Sequence, residues 1–118
     1  MTKILTATDE AIAQAAFILK DGGLVAMPTE TVYGLAANAL NGRAVARVYE
    51  AKGRPQFNPL IAHFPSARTA QDHVLFDERA LSLAQKFWPG PLTMVLPRAP
   101  SCKISSLAAA GLPTQAVR

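Results

Sequence analysis

Cysteine is almost missing from this chain: Cys102 stands alone among 118 residues, which excludes an internal disulfide. Histidine is nearly as scarce, with His63 and His73 only, and no Cys/His spacing suits a metal centre. Acidic residues run out early: none follows Glu78, whereas Lys86, Arg98, Lys103 and Arg118 do. No apolar run approaches the roughly 20 residues of a membrane span. The opening MTKILTATDEAI lacks the basic start and apolar stretch of a secretory signal. There is no GxxxxGK[ST] segment, so a P-loop is excluded, and no repeat, low-complexity tract or linker divides the chain. These absences predict one soluble, cytoplasmic domain over residues 1–118 with no protein-held metal.

What is present suits a packed fold. Half the residues are apolar and 17% are charged, enough for a real core. The net charge of +4 is modest, but its uneven placement favours an anionic ligand such as a nucleotide or RNA. A solvated basic surface is the plainer reading of the charge alone.

Helix and strand signals alternate. Thr8-Asp9-Glu10 starts a helix with Ile12, Ala15, Ala16 and Leu19 at helical spacing, stopped by Gly22-Gly23. Leu24–Met27 reads as a short strand and Tyr33–Ala39 as a second extended segment. Asn41 caps a helix from about Arg43 to Ala51 with Val45, Val48 and Tyr49 inward. Gly53 ends it, and Pro55 prevents its return. Leu60–Phe64 is a third strand, and Ser66 caps a short helix. Asp77 caps a longer one through Phe87, with Leu81, Ala84 and Phe87 inward, stopped by WPGP at 88–91. Leu92–Leu96 is a fourth strand, residues 98–111 a loop with a helical piece near Leu107, and Thr114–Val117 a fifth strand. The class is α/β, mixed α+β. The chain stops at the fifth strand, so the reading expects a truncated sheet, incomplete at its C-terminal end, with Thr114–Val117 as an unpaired edge.

The chemistry concentrates in two turns. Lys52 and Arg54 flank Gly53 just past a helix C-terminus, where the backbone dipole favours cations. Two cations around a glycine can also grip neighbouring phosphates. Thr29, Glu30 and Thr31 follow a strand end, where hydroxyls ordinarily bond nearby backbone. Thr114 and Arg118 are four apart in an extended segment and so share a face. Arginine's planar fork suits a carboxylate. His63, in a strand candidate, would share its face with Ile61; on the residues alone it is a packing residue, and His73 a surface one. Trp88, Phe87 and Tyr49 read as core.

The segments PTETVYGLAANA (28–39), KGRPQFNPL (52–60), WPGPLT (88–93) and LPTQAVR (112–118) occur in an order that resembles the Sua5/YrdC/TsaC family, the threonylcarbamoyl-adenylate synthases. The resemblance implies a YrdC-like twisted mixed sheet with flanking helices. It implies a nucleotidyltransferase that makes threonylcarbamoyl-AMP and pyrophosphate from L-threonine, bicarbonate or carbon dioxide, and ATP with Mg2+. The product would serve the threonylcarbamoyl modification of adenosine in tRNA, completed by separate transferase proteins. On the same ground Lys52 and Arg54 are expected to carry catalysis. Lys52, Arg54, Asn58 and Thr114 would bind ATP, while Thr31, His63 and Arg118 would bind threonine. Glu30 would partner the two cations or a magnesium ion. The family's Ser-x-Asn segment, part of the nucleotide site, would lie beyond Arg118. Two alternatives stay open: a non-catalytic module binding double-stranded RNA or tRNA, and a carbamoyl-adenylate-forming domain of the hydrogenase-maturation kind.

Overall fold

The computed structural model describes all 118 residues. Its elements are α1 (Asp9–Lys20), β1 (Val25–Pro28), β2 (Tyr33–Ala36), α2 (Gly42–Lys52), β3 (Ile61–Ala62), α3 (Ala67–Ala70), α4 (Glu78–Phe87), β4 (Met94–Pro97) and β5 (Thr114–Val117). Each helix begins at a side-chain cap that satisfies backbone N–H groups otherwise left without partners. Thr8 Oγ1 accepts from Ala11 N at 3.1 Å, Asn41 Oδ1 from Arg43 N and Ala44 N at 3.1 and 3.2 Å, Ser66 Oγ from Thr69 N at 3.3 Å, and Asp77 Oδ1 from Ala80 N at 2.8 Å. These are the four caps that the sequence predicts. No helix is long and apolar enough to cross a membrane.

The strands form two sheets. β1 and β2 make an antiparallel hairpin pairing Val25 with Ala36 and Pro28 with Tyr33. β3, β5 and β4 make a mixed sheet in which β5 is central, parallel to β3 and antiparallel to β4. The expectation of an unpaired edge at Thr114–Val117 is therefore overturned. The last strand inserts between two earlier ones and both of its sides are bonded. Pro97 is tolerated in β4 because β4 is an edge strand of this sheet.

The core is built from small contributions. Val45 and Tyr49 of α2, Ala80 and Ala84 of α4, Met94 of β4 and Val117 of β5 pack with Ile104 and Ala108. Ile104 and Ala108 come from residues 98–111, so this stretch is not a free loop. It is a chain of turns, with Ala108, Ala109 and Ala110 each bonded three residues back, rather than the helical piece expected near Leu107.

Two helix faces depart from the expected stripes. In α4 the buried positions are Ala80 and Ala84, while Phe87 is 48% exposed: the helix packs on a narrow alanine face, and its last turn projects past it. In α1 no residue is fully buried, and Ile12 and Phe17 are 60% and 68% exposed. Its main partner is β1 of the two-stranded hairpin, which is too small to cover a full apolar stripe.

Gln115 is the one buried polar side chain. Its Oε1 accepts from Arg98 Nη1 at 3.4 Å, and its Nε2 donates to Leu60 O at 3.0 Å and Ala116 O at 3.1 Å. Arg98 also donates to Ile104 O at 2.6 Å. A single amide thus ties the central strand to the start of β3 and, through Arg98, to the 98–111 turns. His73, expected at the surface, is half-buried. Its ring stacks on Phe64 with centroids 5.6 Å apart, and its Nδ1 accepts from Lys103 N at 3.1 Å.

Candidate functional site

Backbone pairing at the end of the central strand decides what meets what. Arg118 N donates to Ala62 O at 2.9 Å and Phe64 N donates to Arg118 O at 3.1 Å, so the backbone of Arg118 brackets His63. Neighbours across a parallel pair share a face, which sets the imidazole and the guanidinium on one side of the sheet. Gln115 and Val117 are buried on the other side, and Thr114, Ala116 and Arg118 keep partial exposure, as the four-residue spacing predicts.

This side opens into a cavity of about 310 Å³ lined by Glu30, His63, Phe64, Trp88, Gly90 and Arg118 among others. Glu30 arrives on the β1–β2 turn. Pro28 closes β1, and Thr29 Oγ1 bonds Val32 O and lies 3.3 Å from both Thr31 N and Thr31 Oγ1, a hydroxyl turn that holds the loop. Trp88 and Gly90 come from the WPGP stop. Trp88 Nε1 donates to Leu92 O at 2.8 Å, and a Cβ added at Gly90 would lie 2.5 Å from Phe87 O, so only glycine fits there. Trp88 is thus both a packing residue, edge-on to Phe76 at 6.0 Å, and part of the cavity wall.

The charges in the cavity are mutually arranged. Arg118 Nη1 lies 3.4 Å from Glu30 Oε2, with side-chain exposures of 12% and 33%, and Arg118 Nε donates to Thr93 Oγ1 at 3.0 Å. Glu30 therefore pairs with Arg118, not with Lys52 or Arg54. A backbone hydrogen bond within its own residue, and then the bond and charge of Arg118, hold its carboxyl below the ordinary range against an opposing desolvation. Protein atoms around the His63 ring lower its pKa by desolvation; Glu30 raises it and Arg118 lowers it further. Although His63 remains exposed as a residue, these surroundings favour the neutral ring.

Both shifts run downward, so both stabilising contributions are present at neutral pH and lost in acid. That of His63 fades as pH falls from the ordinary 6.5 toward its lower folded value, and that of Glu30 fades below 4.5. Glu30→Gln is expected to lower the His63 pKa further and Arg118→Ala to raise it, read from the His63 ring signals by NMR titration. Movement of both in one direction, or of neither, would show that the three groups do not act on one another.

The second turn is arranged differently from the sequence reading. Lys52 ends α2, is exposed, and makes no hydrogen bond or ion pair. Gly53 takes φ 60°, the left-handed conformation that turns the chain out of the helix. Arg54 donates from Nη2 to Pro59 O at 3.0 Å and from Nε to Asn58 O at 3.5 Å. Tyr49 Oη lies 2.8 Å from Asn58 O and 3.0 Å from Leu107 O. Burial raises the Tyr49 pKa, so it remains a neutral donor. The 55–59 loop is therefore held by its own backbone carbonyls, and the side chain of Asn58 has no partner within the chain.

Of the sequence-predicted site residues, the cavity brings together His63 and Arg118, with Glu30. Thr31 shares the Glu30 turn, but its hydroxyl faces Thr29 and it is not on the wall. Lys52, Arg54, Asn58 and Thr114 also lie off the wall. Thr93 was missed. No sequence signal marks it, since it faces Arg118 only through the pairing of Met94 with Val117.

A family model for the Sua5, YciO and YrdC proteins, described as Telomere recombination, matches residues 17–118. The chain is 48% identical to a threonylcarbamoyl-AMP synthase of Bacillus subtilis, over 100% of this chain and 34% of that protein. It is 53% identical to one of Pyrococcus abyssi, over 88% of this chain and 30% of that protein. The crystal structure of P. abyssi Sua5 complexed with L-threonine superimposes with a TM-score of 0.89 at 47% identity, over 97% of this chain and 33% of that one. The chain thus spans about a third of the length of the curated relatives it matches. With its fold, its motif order and these likenesses in agreement, the chain belongs to the Sua5/YciO/YrdC family.

Proposed function

We propose that this domain binds L-threonine and ATP and forms threonylcarbamoyl-AMP. The observation that carries the reading is the cavity in which Arg118 and Glu30 face each other beside His63. An amino acid presents a carboxylate and an amine a few ångströms apart. Arg118 offers the planar fork that grips a carboxylate, and Glu30 offers an acceptor for an ammonium. The likeness to a P. abyssi protein solved with L-threonine supports that choice of amino acid.

In the reaction the threonine amine loses a proton and adds to carbon dioxide, giving a carbamate. A carbamate oxygen then attacks the α-phosphorus of ATP, and pyrophosphate leaves. Two anions must be held against each other, so positioning and charge neutralisation carry most of the rate. Lys52, unpaired at the end of α2, supplies the mobile cation for the phosphates. Arg54, anchored to the loop carbonyls, supplies shape and field. Asn58 and Thr114 contact the nucleotide, and Thr31, on the turn that carries Glu30, swings from Thr29 to meet the threonine hydroxyl. No group of three or more His, Cys, Asp or Glu side chains is placed to hold a metal ion. Magnesium accordingly comes with the triphosphate, whose oxygens supply most of its ligands. The product feeds enzymes that modify adenosine in tRNA, in the cytoplasm.

A site that bonds the threonine hydroxyl should reject valine, its isostere, by roughly 10²- to 10⁴-fold, because burying an unpaired polar group is costly. Pyrophosphate release measured with threonine, serine and valine in turn should therefore favour threonine. Equal rates with valine and threonine would remove the amino-acid assignment.

A further inference from the structure

Arg118 meets two side chains from outside its own strand, and they play different parts. Antiparallel pairing of Met94 with Val117 sets Thr93 across from Arg118, one step beyond the paired strands. The Thr93 hydroxyl oxygen accepts the Arg118 Nε–H at 3.0 Å, and Nη1 reaches Glu30 at 3.4 Å. Arginine's five N–H donors lie in one plane. Fixing Nε therefore fixes that plane, leaving the Nη groups as the fork for a carboxylate. Nη1 already bonds the carboxylate of Glu30 through one N–H, which leaves its second N–H and those of Nη2 for the acid group of a ligand.

We propose that Thr93 is a positioning residue that sets the Arg118 guanidinium as a carboxylate receptor. This rests on the reading that the cavity takes an amino acid. The WPGPLT segment thus has a task beyond stopping α4: it delivers this hydroxyl to the position across from Arg118 on the β4 side, as His63 lies across from it on the β3 side. Threonine suits the place because its side chain is short and carries an acceptor. Valine keeps the shape and loses the acceptor, whereas serine keeps the acceptor.

The test compares the unaltered chain with Thr93→Val and Thr93→Ser. Each is titrated with L-threonine and with L-threoninol, which has the amine and hydroxyl but no carboxylate. Trp88, on the cavity wall, is the chain's one tryptophan and provides a fluorescence signal. Thr93→Val is expected to weaken L-threonine by about tenfold, the effect of one charge-assisted hydrogen bond, and to leave L-threoninol unchanged. Thr93→Ser should match the unaltered chain. Equal weakening of both ligands, or none, would overturn the proposal. A second readout needs no ligand: the Arg118 Nε–H signal in a ¹⁵N spectrum should exchange slowly in the unaltered chain and in Thr93→Ser, and quickly in Thr93→Val. If no form binds L-threonine yet that signal responds as stated, the amino-acid reading falls and the positioning role stands. If the signal is the same in all three, the positioning role falls whatever the ligands do.

Discussion

Lys52→Ala is expected to weaken ATP binding by roughly 10- to 100-fold with no change in melting temperature, the loss of one charge-assisted contact. Arg54→Ala should weaken ATP binding to a similar degree and also lower the melting temperature. The difference follows from what each cation touches. Lys52 is exposed and unpaired, so its removal leaves nothing in the protein unsatisfied. Arg54 donates to the carbonyls of Asn58 and Pro59, so its removal frees the loop that presents Asn58. Calorimetric titration with ATP beside a thermal melt separates the two effects. Undiminished ATP affinity in both variants would sink the phosphate assignment.

Gln115→Leu is expected to destabilise the fold by about 2–4 kcal/mol, the cost of leaving buried polar and charged partners without their bonds. For a domain of this size that lowers the melting temperature by on the order of 10 °C. Leucine fits the space, but Leu60 O loses a donor and Arg98 loses an acceptor inside the sheet. Urea or thermal unfolding would measure it. A variant as stable as the parent would show that the apolar neighbours alone hold β3, β5 and the 98–111 turns together.

What the sequence made legible, and what it hid, divides along locality. Thr8, Asn41, Ser66 and Asp77 were readable as caps because a cap acts on residues two or three positions away. Gly53 was readable because leaving a helix calls for a left-handed residue. The place of β5 was not. Its partners are Ile61 and Ala62 on one side and Met94 to Pro97 on the other, and nothing local in TQAV says that it inserts between them. The same applies to cations. Arg47, Arg54 and Arg98 count as positive charges in composition, yet each donates to a backbone carbonyl: Gly22, Pro59 and Ile104 respectively. Their charge remains, but their geometry is fixed by the fold, which the composition does not say. In α1 the pattern offered one stripe, Ile12, Ala15, Ala16 and Leu19, yet none of it is fully buried and Ile12 stays 60% exposed, because a stripe says which face is apolar and not how much fold is there to cover it.

At the site, motif order pointed to His63 and Arg118, and the cavity contains both. From the sequence Glu30 would serve Lys52 and Arg54, or a magnesium ion, a reasonable match of charge. Its true partner lies 88 positions away in sequence, reached because the β1–β2 turn overhangs the end of the central strand. Thr93 was invisible for the reason that hid the place of β5, since its role exists only once β4 and β5 are paired.

The central claim is that the cavity recognises an amino acid through Arg118. Calorimetric titration of L-threonine into the unaltered chain and into Arg118→Gln tests it most directly. The substitution leaves intact the backbone bonds of residue 118 to Ala62 and Phe64, so the strand pairing that places the site is kept. The account predicts saturable binding at one site per chain in the parent, and affinity lower by roughly 100-fold or more in Arg118→Gln, since one arginine fork provides two charged hydrogen bonds. Equal affinity in the two proteins would contradict it.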